Sequence, residues 1–422
     1  MRDSRVWKRL IGVEGTVLER VDLDEATGAV VARVRPRKAA GRCGRCGRRC
    51  AGYDRGEGRR RWRALDLGTV QVFVEAEAPR VSCRVHGPTV IAVPWARHGA
   101  RHTRAFEDTA AWLVTHTSKT AVSELLRVSW RTVGAIVSRV VADGRARHDP
   151  FAGLRRIGVD EISYKRGQRY LIVVVDHDTG RLVWAGRDRE KATLEAFFDA
   201  MGEQGCARIT HLSADSAPWI RQVVTKRCPD AIRCADPFHV IKWAIDALDA
   251  VRRDAWNTAR AGKRVANRRG TQDPVARELK AARWALWKNP EKLTDRQHAR
   301  LDWVAKNDPK LHRAWLLKEG LRYVFTIKGQ DGKEALDRWL SWARRCRIPS
   351  FIDVARKITR DREAIDNNLD HGLSNGLIES TNTKIRLLTR MAFGFKSPEA
   401  LIALALLDRG GYCPPLPGRT SP

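Results

Sequence analysis

LRRIGVDEISY (Leu154–Tyr164) and RYLIVVVDHDTGRLVWAGRD (Arg169–Asp188) are strand-like segments, and the second has the pattern of a hairpin with its turn at HDTG. A further strand is predicted in ARITHLSAD (Ala207–Asp215). It follows ATLEAFFDAMGEQG, whose apolar spacing is that of an amphipathic helix. WIRQVVTKRCPD then predicts another helix, and IRCAD predicts a short strand. The predicted order is three strands followed by helix, strand, helix and strand, which indicates an α/β unit.

The segments around this unit have different patterns. Before it, VLERVDLDEATGAVVARVRP predicts a hairpin with its turn between Asp24 and Gly28, and TVQVFVEAEAPRVSC alternates as one further strand does. Helical patterns follow, and the region after the α/β unit is almost wholly helical and rich in tryptophan. We expect six parts: a β-rich cysteine-containing domain (1–100), a helix-turn-helix (101–150), the first part of the α/β core (151–240), an all-α insertion (241–370), the last part of the core (371–410) and a disordered tail (411–422).

The chain is strongly basic. It carries 79 Lys and Arg against 49 Asp and Glu, a formal net charge of +30. Such an excess predicts a polyanionic partner, DNA or RNA, although an arginine-rich surface without that role is the alternative. No apolar run is long enough to span a membrane, and the first residues lack the apolar core of a signal peptide. A cytoplasmic protein with reduced cysteines is therefore expected.

The cysteines near the start have the spacing of metal ligands. Cys43 and Cys46 are separated by two residues, and Cys83 and His86 repeat that spacing about forty residues later. Two such pairs can hold Zn²⁺ tetrahedrally. Cys50 is an alternative ligand, and an arginine-rich loop with chance cysteines is the alternative to a metal site.

SKTAVSELLRVSWRTVGAIVSRVV predicts two short helices that break at Arg127–Ser129, with Ser118 and Ser129 as N-caps. In a helix-turn-helix, the first residues of the second helix meet the base edges of DNA. The predicted inner face is Leu125, Val128, Val133, Ile136 and Val137. The residues predicted to lie outward or at the start of the recognition helix are Ser129, Trp130, Arg131, Thr132 and Arg139.

Three acids lie at positions where a carboxylate is costly unless it is paired or binds a metal ion. Asp160 lies on a strand with apolar neighbours, Asp215 follows a strand, and Glu379 begins a basic helix. Two Mg²⁺ ions held by such carboxylates would activate a nucleophile for phosphodiester chemistry. The alternative is that these acids are turn formers or helix caps, with Asp215 capping the helix that begins near Pro218.

IGVDEISYKRGQRYLIVVVDHDTGRLV, HLSADSAPWIRQVVTKRCPDAIRCADPFHVIKWA and SNGLIESTNTKIRLLTRMAFGFKSPEALIALALL resemble the signature blocks of insertion-sequence transposases of the ISL-three family. The resemblance implies an α/β RNase H-like catalytic core with an all-α insertion, preceded by a small β-rich zinc-binding domain and a helix-turn-helix. It also implies a DDE triad at Asp160, Asp215 and Glu379, using Mg²⁺ or Mn²⁺. The family usually completes its zinc site with cysteine, whereas this chain has His86.

Further residues take expected roles from the same resemblance. The D-x-x-H signature matches Asp236 and His239, so His239 would contact the scissile phosphate region or orient a carboxylate, unless it only supports the core. Asp236 is the rival of Asp215 as second metal ligand, and Asp215 is preferred because its strand should pair beside that of Asp160. On the helix of Glu379, the residues expected to approach DNA are Asn382, Lys384, Arg386 and Arg390, while Ile385 and Leu388 face the core.

The function implied is that of a nucleoid-associated DNA transposase. It would bind the terminal inverted repeats of its element, cut strands there and join the freed 3′-hydroxyl to target DNA. A homodimer or larger synaptic assembly is expected, because two ends must be brought together. The alternatives are a DNA-binding regulator and a metal-dependent nuclease that performs no strand transfer.

Overall fold

The structure is a computed structural model that describes residues 2–13, 15–37, 41–165, 167, 169–214, 217–264, 274–373 and 375–419. Its N-terminal part contains one helix and seven strands: α1 (Arg2–Ile11), β1 (Thr16–Asp24), β2 (Ala29–Pro36), β3 (Ala51–Asp54), β4 (Arg59–Arg63), β5 (Val72–Glu77), β6 (Arg80–Cys83) and β7 (Gly87–Val90).

These strands form two sheets, with the orders β1-β2-β5-β4 and β3-β6-β7. The predicted hairpin is confirmed, because β1 and β2 are antiparallel and Asp24 pairs with Ala29 across the turn. The strand predicted after it is confirmed as β5, but the same segment continues into a second strand, β6, which belongs to the other sheet. Ala78 and Pro79 separate them, and proline cannot donate a ladder hydrogen bond.

The helix-turn-helix is made of α2 (Arg104–His116), α3 (Lys119–Leu126) and α4 (Trp130–Arg147). The predicted break is confirmed, since Arg127 ends α3 in the left-handed conformation with a φ of 52°. Both predicted N-caps are also confirmed: the Ser118 hydroxyl accepts from the Ala121 amide at 3.2 Å, and the Ser129 hydroxyl accepts from the Thr132 amide at 3.1 Å.

One residue of the predicted inner face is wrong. Leu125 is 64% exposed, whereas Leu126 and Val122 are buried. Position 122 and position 126 are one helical turn apart, so they share a face that excludes position 125. Val133, Ile136 and Val137 are buried as predicted, and Val128 packs against the same core.

The α/β core begins with β8 (Arg156–Lys165), β9 (Arg169–Asp176), β10 (Leu182–Arg187), α5 (Lys191–Cys206), β11 (His211–Ala214), α6 (Pro218–Arg227) and β12 (Ile232–Ala235). The sheet order is β10-β9-β8-β11-β12. Strand β9 is antiparallel to both β10 and β8, whereas β11 runs parallel to both β8 and β12. This is the RNase H-like arrangement expected above.

Both faces of the sheet are covered, because alternate residues of each strand point to opposite sides. Ile157 and Val159 of β8 pack on one side with α5 and α6. Ile162 lies on the other side, where it joins a core shared with the helix-turn-helix and the two C-terminal helices. The helix-turn-helix and the α/β core are therefore packed together through one apolar cluster.

A helical insertion follows β12 and consists of α7 (Pro237–Arg264), α8 (Pro274–Ala281), α9 (Arg283–Trp287), a 3₁₀ turn (Pro290–Lys292), α10 (Asp295–Asn307), α11 (Pro309–Val324), α12 (Gly329–Arg345), α13 (Pro349–Arg360) and α14 (Arg362–His371). As predicted, most of its tryptophans contribute to its core, but Trp284 is 60% exposed and Trp342 is 38% exposed. The chain then returns to the sheet, where the Asn367 side chain donates to the Arg233 carbonyl at 3.1 Å.

Two helices complete the core, α15 (Gly376–Met391) and α16 (Pro398–Arg409). Ile385 and Leu388 of α15 are buried, as predicted. The start of the tail that was predicted to be disordered (411–422) packs on the core. Tyr412 lies against the core cluster, and its ring is close to Gly144 of α4.

Candidate active site

Asp160 lies on the central strand β8, directly after the buried Val159, and its carboxylate is held at both oxygens. The backbone amide of Glu161 donates to Oδ1 at 2.8 Å, and the Asn382 side-chain amide donates to Oδ2 at 2.7 Å. Asn382 is only 3% exposed and lies on α15, three residues after Glu379. The contact therefore ties the first predicted acid to the helix of the last one.

Glu379 stands in the first turn of α15, as predicted. Partial burial, and then the negative charges of Asp236 and Asp160, raise the pKa of Glu379, while the charges of His239 and Arg386 oppose that rise. Three carboxylates from distant parts of the sequence are thus within electrostatic reach of one another.

Asp215, the preferred second acid, lies outside the described residues. The strand before it behaves as expected: β11 pairs directly with β8, and Ala214, its last residue, pairs with Val159. The alternative role for Asp215 was a cap of the following helix. That helix, α6, begins at Pro218 with Ala217 as its N-cap.

Asp236 follows β12 and is 3% exposed. Its Oδ2 lies 2.8 Å from Nδ1 of His239, and its Oδ1 accepts from the amides of Phe238 at 3.3 Å and Asn375 at 3.4 Å. His239 keeps about a quarter of its side chain exposed, so it is not a core histidine. Its contact is the one expected of a residue that orients a carboxylate.

A chain of hydrogen-bonded polar side chains, half-buried at His177 and buried at Ser213 and Asn375, links the elements that carry these acids, and sequence reasoning missed it. His177 Nε2 lies 2.7 Å from the Ser213 hydroxyl, which donates to Asn375 Oδ1 at 2.5 Å. Burial, and then the charge of Arg156, lower the pKa of His177, which favours the neutral ring. The chain joins β11 to the start of α15 and, through the Asn375 amide, to Asp236.

The acidic group suits a hard divalent cation. Partial burial, and then repulsion from Asp236 and Asp160, raise the pKa of Glu379, and a bound cation would offset that repulsion. In addition, Asn382 Oδ1 is buried and has no hydrogen-bond partner within the described part of the chain. Carboxylate and amide oxygens are the ligands that Mg²⁺ and Mn²⁺ prefer.

The basic residues of α15 divide between two sides of the helix. Arg386 and Arg390 are exposed, and the charge of Arg386 acts on Glu379. Lys384 is also exposed, but it lies near Asp408, whose raised pKa its charge opposes. Arg386 and Arg390 are therefore better placed than Lys384 for DNA at the acidic group.

The predicted recognition residues of α4 differ in their solvent exposure and in their contacts. Trp130 is 54% exposed, with the Lys119 ammonium 4.5 Å from its ring centre, and Arg131 is exposed. Thr132 is half-buried, and its hydroxyl lies 2.8 Å from that of Ser129. Arg139 does not lie outward as predicted, because it pairs with the buried carboxylate of Glu107.

The predicted zinc ligands converge. Among the described residues, the ligand atoms of Cys43, Cys46, Cys83 and His86 form the one group of four within 4.8 Å of each other, and Cys50 is not part of it. Sγ of Cys46 and Sγ of Cys83 are 3.8 Å apart, and His86 Nδ1 lies 3.5 Å and 3.6 Å from the sulfurs of Cys43 and Cys83. Hydrogen bonds from the backbone amides of Val85 and His86 lower the pKa of Cys83 to about 6.

These separations are those of a tetrahedral site. Zn–S bonds of about 2.3 Å and Zn–N bonds of about 2.0–2.1 Å place two sulfurs about 3.8 Å apart and a sulfur and a nitrogen about 3.55 Å apart. The histidine at position 86, where the family usually has cysteine, is therefore compatible with a tetrahedral zinc site.

We expect Cys46→Ser to lose the bound zinc and to expose residues 41–91 to proteolysis, because a structural zinc site contributes its binding energy to folding. Elemental analysis of the purified protein and limited proteolysis measure the two effects. Cys50→Ser is the matched control and should retain one zinc per chain. Loss of zinc in the control, with retention in Cys46→Ser, would reverse the assignment.

A buried ion-pair network joins the N-terminal sheets to the helix-turn-helix. The Arg97 side chain, 3% exposed, donates to Asp143 at 2.8 Å and to Asp108 at 2.6 Å, and it also pairs with Glu107. Arg104 donates to the same Asp143 oxygen at 2.9 Å. The orientation of the zinc-containing part relative to α4 therefore depends on Asp143.

We expect Asp143→Asn to destabilise the protein by about 1.5–3 kcal/mol, the usual range for hydrogen bonds to charged groups. Burial raises the pKa of Asp143, but its arginine partners outweigh burial and hold that pKa below the ordinary 3.8. Its contribution is therefore complete above pH 3.8 and is lost as the pH falls further. Thermal melts of both proteins at several pH values test this, with the exposed Asp353→Asn as control.

Three stretches of the chain match models of known protein families. Residues 39–86 match the family model for the zinc finger of transposases IS204, IS1001, IS1096 and IS1165. Residues 91–141 match the helix-turn-helix domain of transposase family ISL3, and residues 157–405 match the DDE transposase model of that family. In the described residues, no helix has the length and apolar composition needed to cross a membrane.

Two relatives extend the similarity over almost the whole chain. The transposase for insertion sequence element IS1557 of Mycobacterium tuberculosis is 63% identical over 99% of this chain and 98% of its own length. The transposase for insertion sequence element IS1001 of Bordetella parapertussis is 24% identical over 94% of this chain and 96% of its own. The chain therefore belongs to the ISL3 (ISL-three) family of insertion-sequence transposases, with a zinc ribbon, a DNA-binding helix-turn-helix and a DDE transposase domain.

Proposed function

We propose that this transposase binds the terminal inverted repeats of its element and then cuts and joins DNA strands at the acidic group. The zinc ribbon (within 1–100) and the helix-turn-helix (101–150) would read the repeat. Asp160, Asp215 and Glu379 would be the carboxylate ligands of Mg²⁺ or Mn²⁺. Bound there, the cations would lower the pKa of the attacking water or 3′-hydroxyl and stabilise the leaving oxygen.

The observation that carries the proposal is the link between Asp160 and the helix of Glu379. Asn382 donates to Asp160 at 2.7 Å, and the charge of Asp160 acts on Glu379. A fold that needed no cation would gain by separating these carboxylates, whereas here Asp160, in the middle of β8, and Glu379, in the first turn of α15, lie within electrostatic reach of each other. Such arrangements of perturbed acids are typical of functional sites.

The remaining polar residues support this chemistry. Asn382 holds one oxygen of Asp160, so the carboxylate keeps a fixed orientation. His239 would orient Asp236, which is an alternative second ligand to Asp215. Arg386 and Arg390 would contact the phosphates beside the scissile bond and supply affinity that does not depend on sequence.

Strand transfer also requires two element ends in one complex. A homodimer or larger assembly would bring one catalytic core to each end, and closed symmetric assemblies are the common solution. The target DNA would then enter the same basic surface as the cleaved ends.

The test uses a labelled duplex that carries the inverted repeats flanking this gene. With Mg²⁺, we expect nicks at the element boundary, followed by transfer of the labelled 3′ end into a plasmid. Neither product should form in EDTA. Specific binding without any Mg²⁺-dependent nick would favour a regulator, and nicking without transfer would favour a nuclease.

A further inference from the structure

The turn after α15 exposes an aromatic side chain in an unusual backbone conformation. Phe393 is 97% exposed and has a φ of 52°. Its amide donates to the Arg390 carbonyl at 3.0 Å, and the Gly394 amide donates to the Thr389 carbonyl at 2.8 Å. These two bonds form a Schellman motif in which Phe393 holds the left-handed position, where glycine is the usual residue.

Folding alone does not explain a phenylalanine at this position. A residue with a Cβ atom is disfavoured in the left-handed region, and an almost fully exposed ring gains nothing from burial. Outliers of this kind are concentrated at binding sites, where the side chain has a role that offsets the strain.

The surroundings of Phe393 point to DNA. Arg390 precedes it by three residues and Lys396 follows it by three. Both are exposed, and neither forms an ion pair with any residue that the structure describes. Phe395, which is two residues after Phe393, is buried, and the Lys119 ammonium lies 5.9 Å from the centre of its ring. The same ammonium lies 4.5 Å from the ring of Trp130 at the start of the recognition helix.

Helix α15 thus connects the acidic group to the DNA-binding helices. Arg386 and Arg390 follow Glu379 by seven and eleven residues, and this spacing places all three on one side of the helix. At 1.5 Å per residue, Phe393 lies about 20 Å from Glu379. For a duplex that runs along α15, that distance corresponds to about six base pairs of B-DNA at 3.4 Å each.

We propose that Phe393 inserts between stacked base pairs of the element end, about six base pairs from the cleaved phosphate. The inference rests on the proposed function and adds a distortion of the bound duplex to it. An apolar wedge flanked by cations is a known way to kink DNA, because the cations hold the backbone while the ring occupies the opened step. The wedge would fix the distance between the recognised repeat and the cut.

The test places 2-aminopurine at successive positions of the end duplex and measures its fluorescence, which rises when the base unstacks. The Glu379→Gln protein is used without Mg²⁺, so that the DNA stays uncut. We expect one fluorescence maximum about six base pairs from the boundary. Phe393→Gly in the same background should abolish it and weaken binding about tenfold, the range of a lost base–aromatic contact.

The glycine variant separates this role from a structural one. Because glycine suits the left-handed position, Phe393→Gly should melt at the same temperature as its parent or higher. Phe393→Trp should retain the fluorescence maximum, and Tyr323→Ala, which removes an exposed aromatic from the insertion, should leave it unchanged.

The outcomes are distinguishable from failure of the proposed function. If boundary nicking by the wild type is normal but the maximum is absent, or persists in Phe393→Gly, the wedge is wrong and the catalytic proposal stands. A change in subunit assembly in Phe393→Gly, with an unchanged maximum, would make the ring a protein contact and overturn the inference. Absence of any end binding and nicking would overturn both proposals.

Discussion

Glu379→Gln is expected to reduce strand cleavage at the element end on the order of 10³-fold, while binding of the end is retained. A carboxylate that holds a catalytic cation contributes several kcal/mol to the transition state, and each 1.36 kcal/mol is tenfold in rate. The amide keeps the shape and hydrogen-bonding capacity of the side chain but removes its charge. Rates of boundary nicking, compared at equal occupancy of the DNA, measure the effect.

The same substitution should not destabilise the protein in EDTA. Partial burial and the charges of Asp236 and Asp160 raise the pKa of Glu379, so its ionised form opposes folding at neutral pH. The variant should therefore melt at or above the wild-type temperature at pH 7. Any difference should fade as the pH falls below the ordinary value of 4.5, where the carboxyl is protonated in both states.

Glu399→Gln is the matched control, since Glu399 stands in the first turn of the next helix as Glu379 does in its own. It should cleave normally. A Glu379→Gln protein that nicks DNA at more than a tenth of the wild-type rate would remove Glu379 from the catalytic group.

Gly158→Ala is expected to have the second-largest effect, although the residue is not itself reactive. A Cβ atom there would lie 2.2 Å from Ile378 Cδ1 and 2.8 Å from His177 Nε2. Ile378 is fully buried and directly precedes Glu379. The added methyl group must displace the Ile378 side chain, and because that side chain is fully buried we expect the start of α15, with the last acid, to shift away from the strand that carries Asp160.

We expect this change to cost about 1–3 kcal/mol of stability, as overpacking of a core does. Cleavage should fall about 10²-fold, because a shift of about 1 Å in a catalytic group has that effect. Thermal melts and nicking rates give the two values. Gly52→Ala is the control, since no atom lies within 4 Å of the Cβ position at that strand residue.

A second substitution shows whether the clash is the cause. Ile378→Val removes the Cδ1 atom that the new methyl group would meet, so the double variant should recover part of the lost activity. If Gly158→Ala cleaves DNA normally while Gly52→Ala does not, the packing of α15 on β8 is not what positions Glu379.

Sequence patterns predicted the elements of this fold well where the signal was local. The β1–β2 hairpin, the break at Arg127 and the N-caps Ser118 and Ser129 all depend on residues close together in the chain. Leu125 was assigned to the wrong side because a helix of only two turns leaves its rotation poorly determined by apolar spacing.

The errors at the site arose from contacts distant in sequence. Arg139 has the exposed-side spacing of a DNA contact, but the buried carboxylate of Glu107 on another helix pairs with it. Likewise, nothing near Ser213 or Asn375 in the sequence indicates their hydrogen bond. Gly158 carried no signal either, because its importance comes from Ile378 on a helix far along the chain.

The acids were predicted both as single residues and as one metal-binding group, and the family resemblance supplied the full triad of Asp160, Asp215 and Glu379. Asp160 and Glu379 could be chosen because a carboxylate among apolar neighbours and one at the start of a basic helix both need a partner. The close approach of Asp236 is a property of the sheet order, in which β12 lies beyond β11. The choice between Asp215 and Asp236 therefore depends on measurement.

The most direct test of the catalytic group replaces Mg²⁺ by Fe²⁺ and adds ascorbate, so that radicals formed at the bound metal cut the nearest polypeptide. We predict fragments that end near residues 160, 215 and 379, suppressed by excess Mg²⁺ and absent in Asp160→Asn. Fragments near residue 236 in place of 215 would make Asp236 the second ligand. Cutting that excess Mg²⁺ does not suppress, or that avoids Asp160 and Glu379, would contradict a shared metal centre.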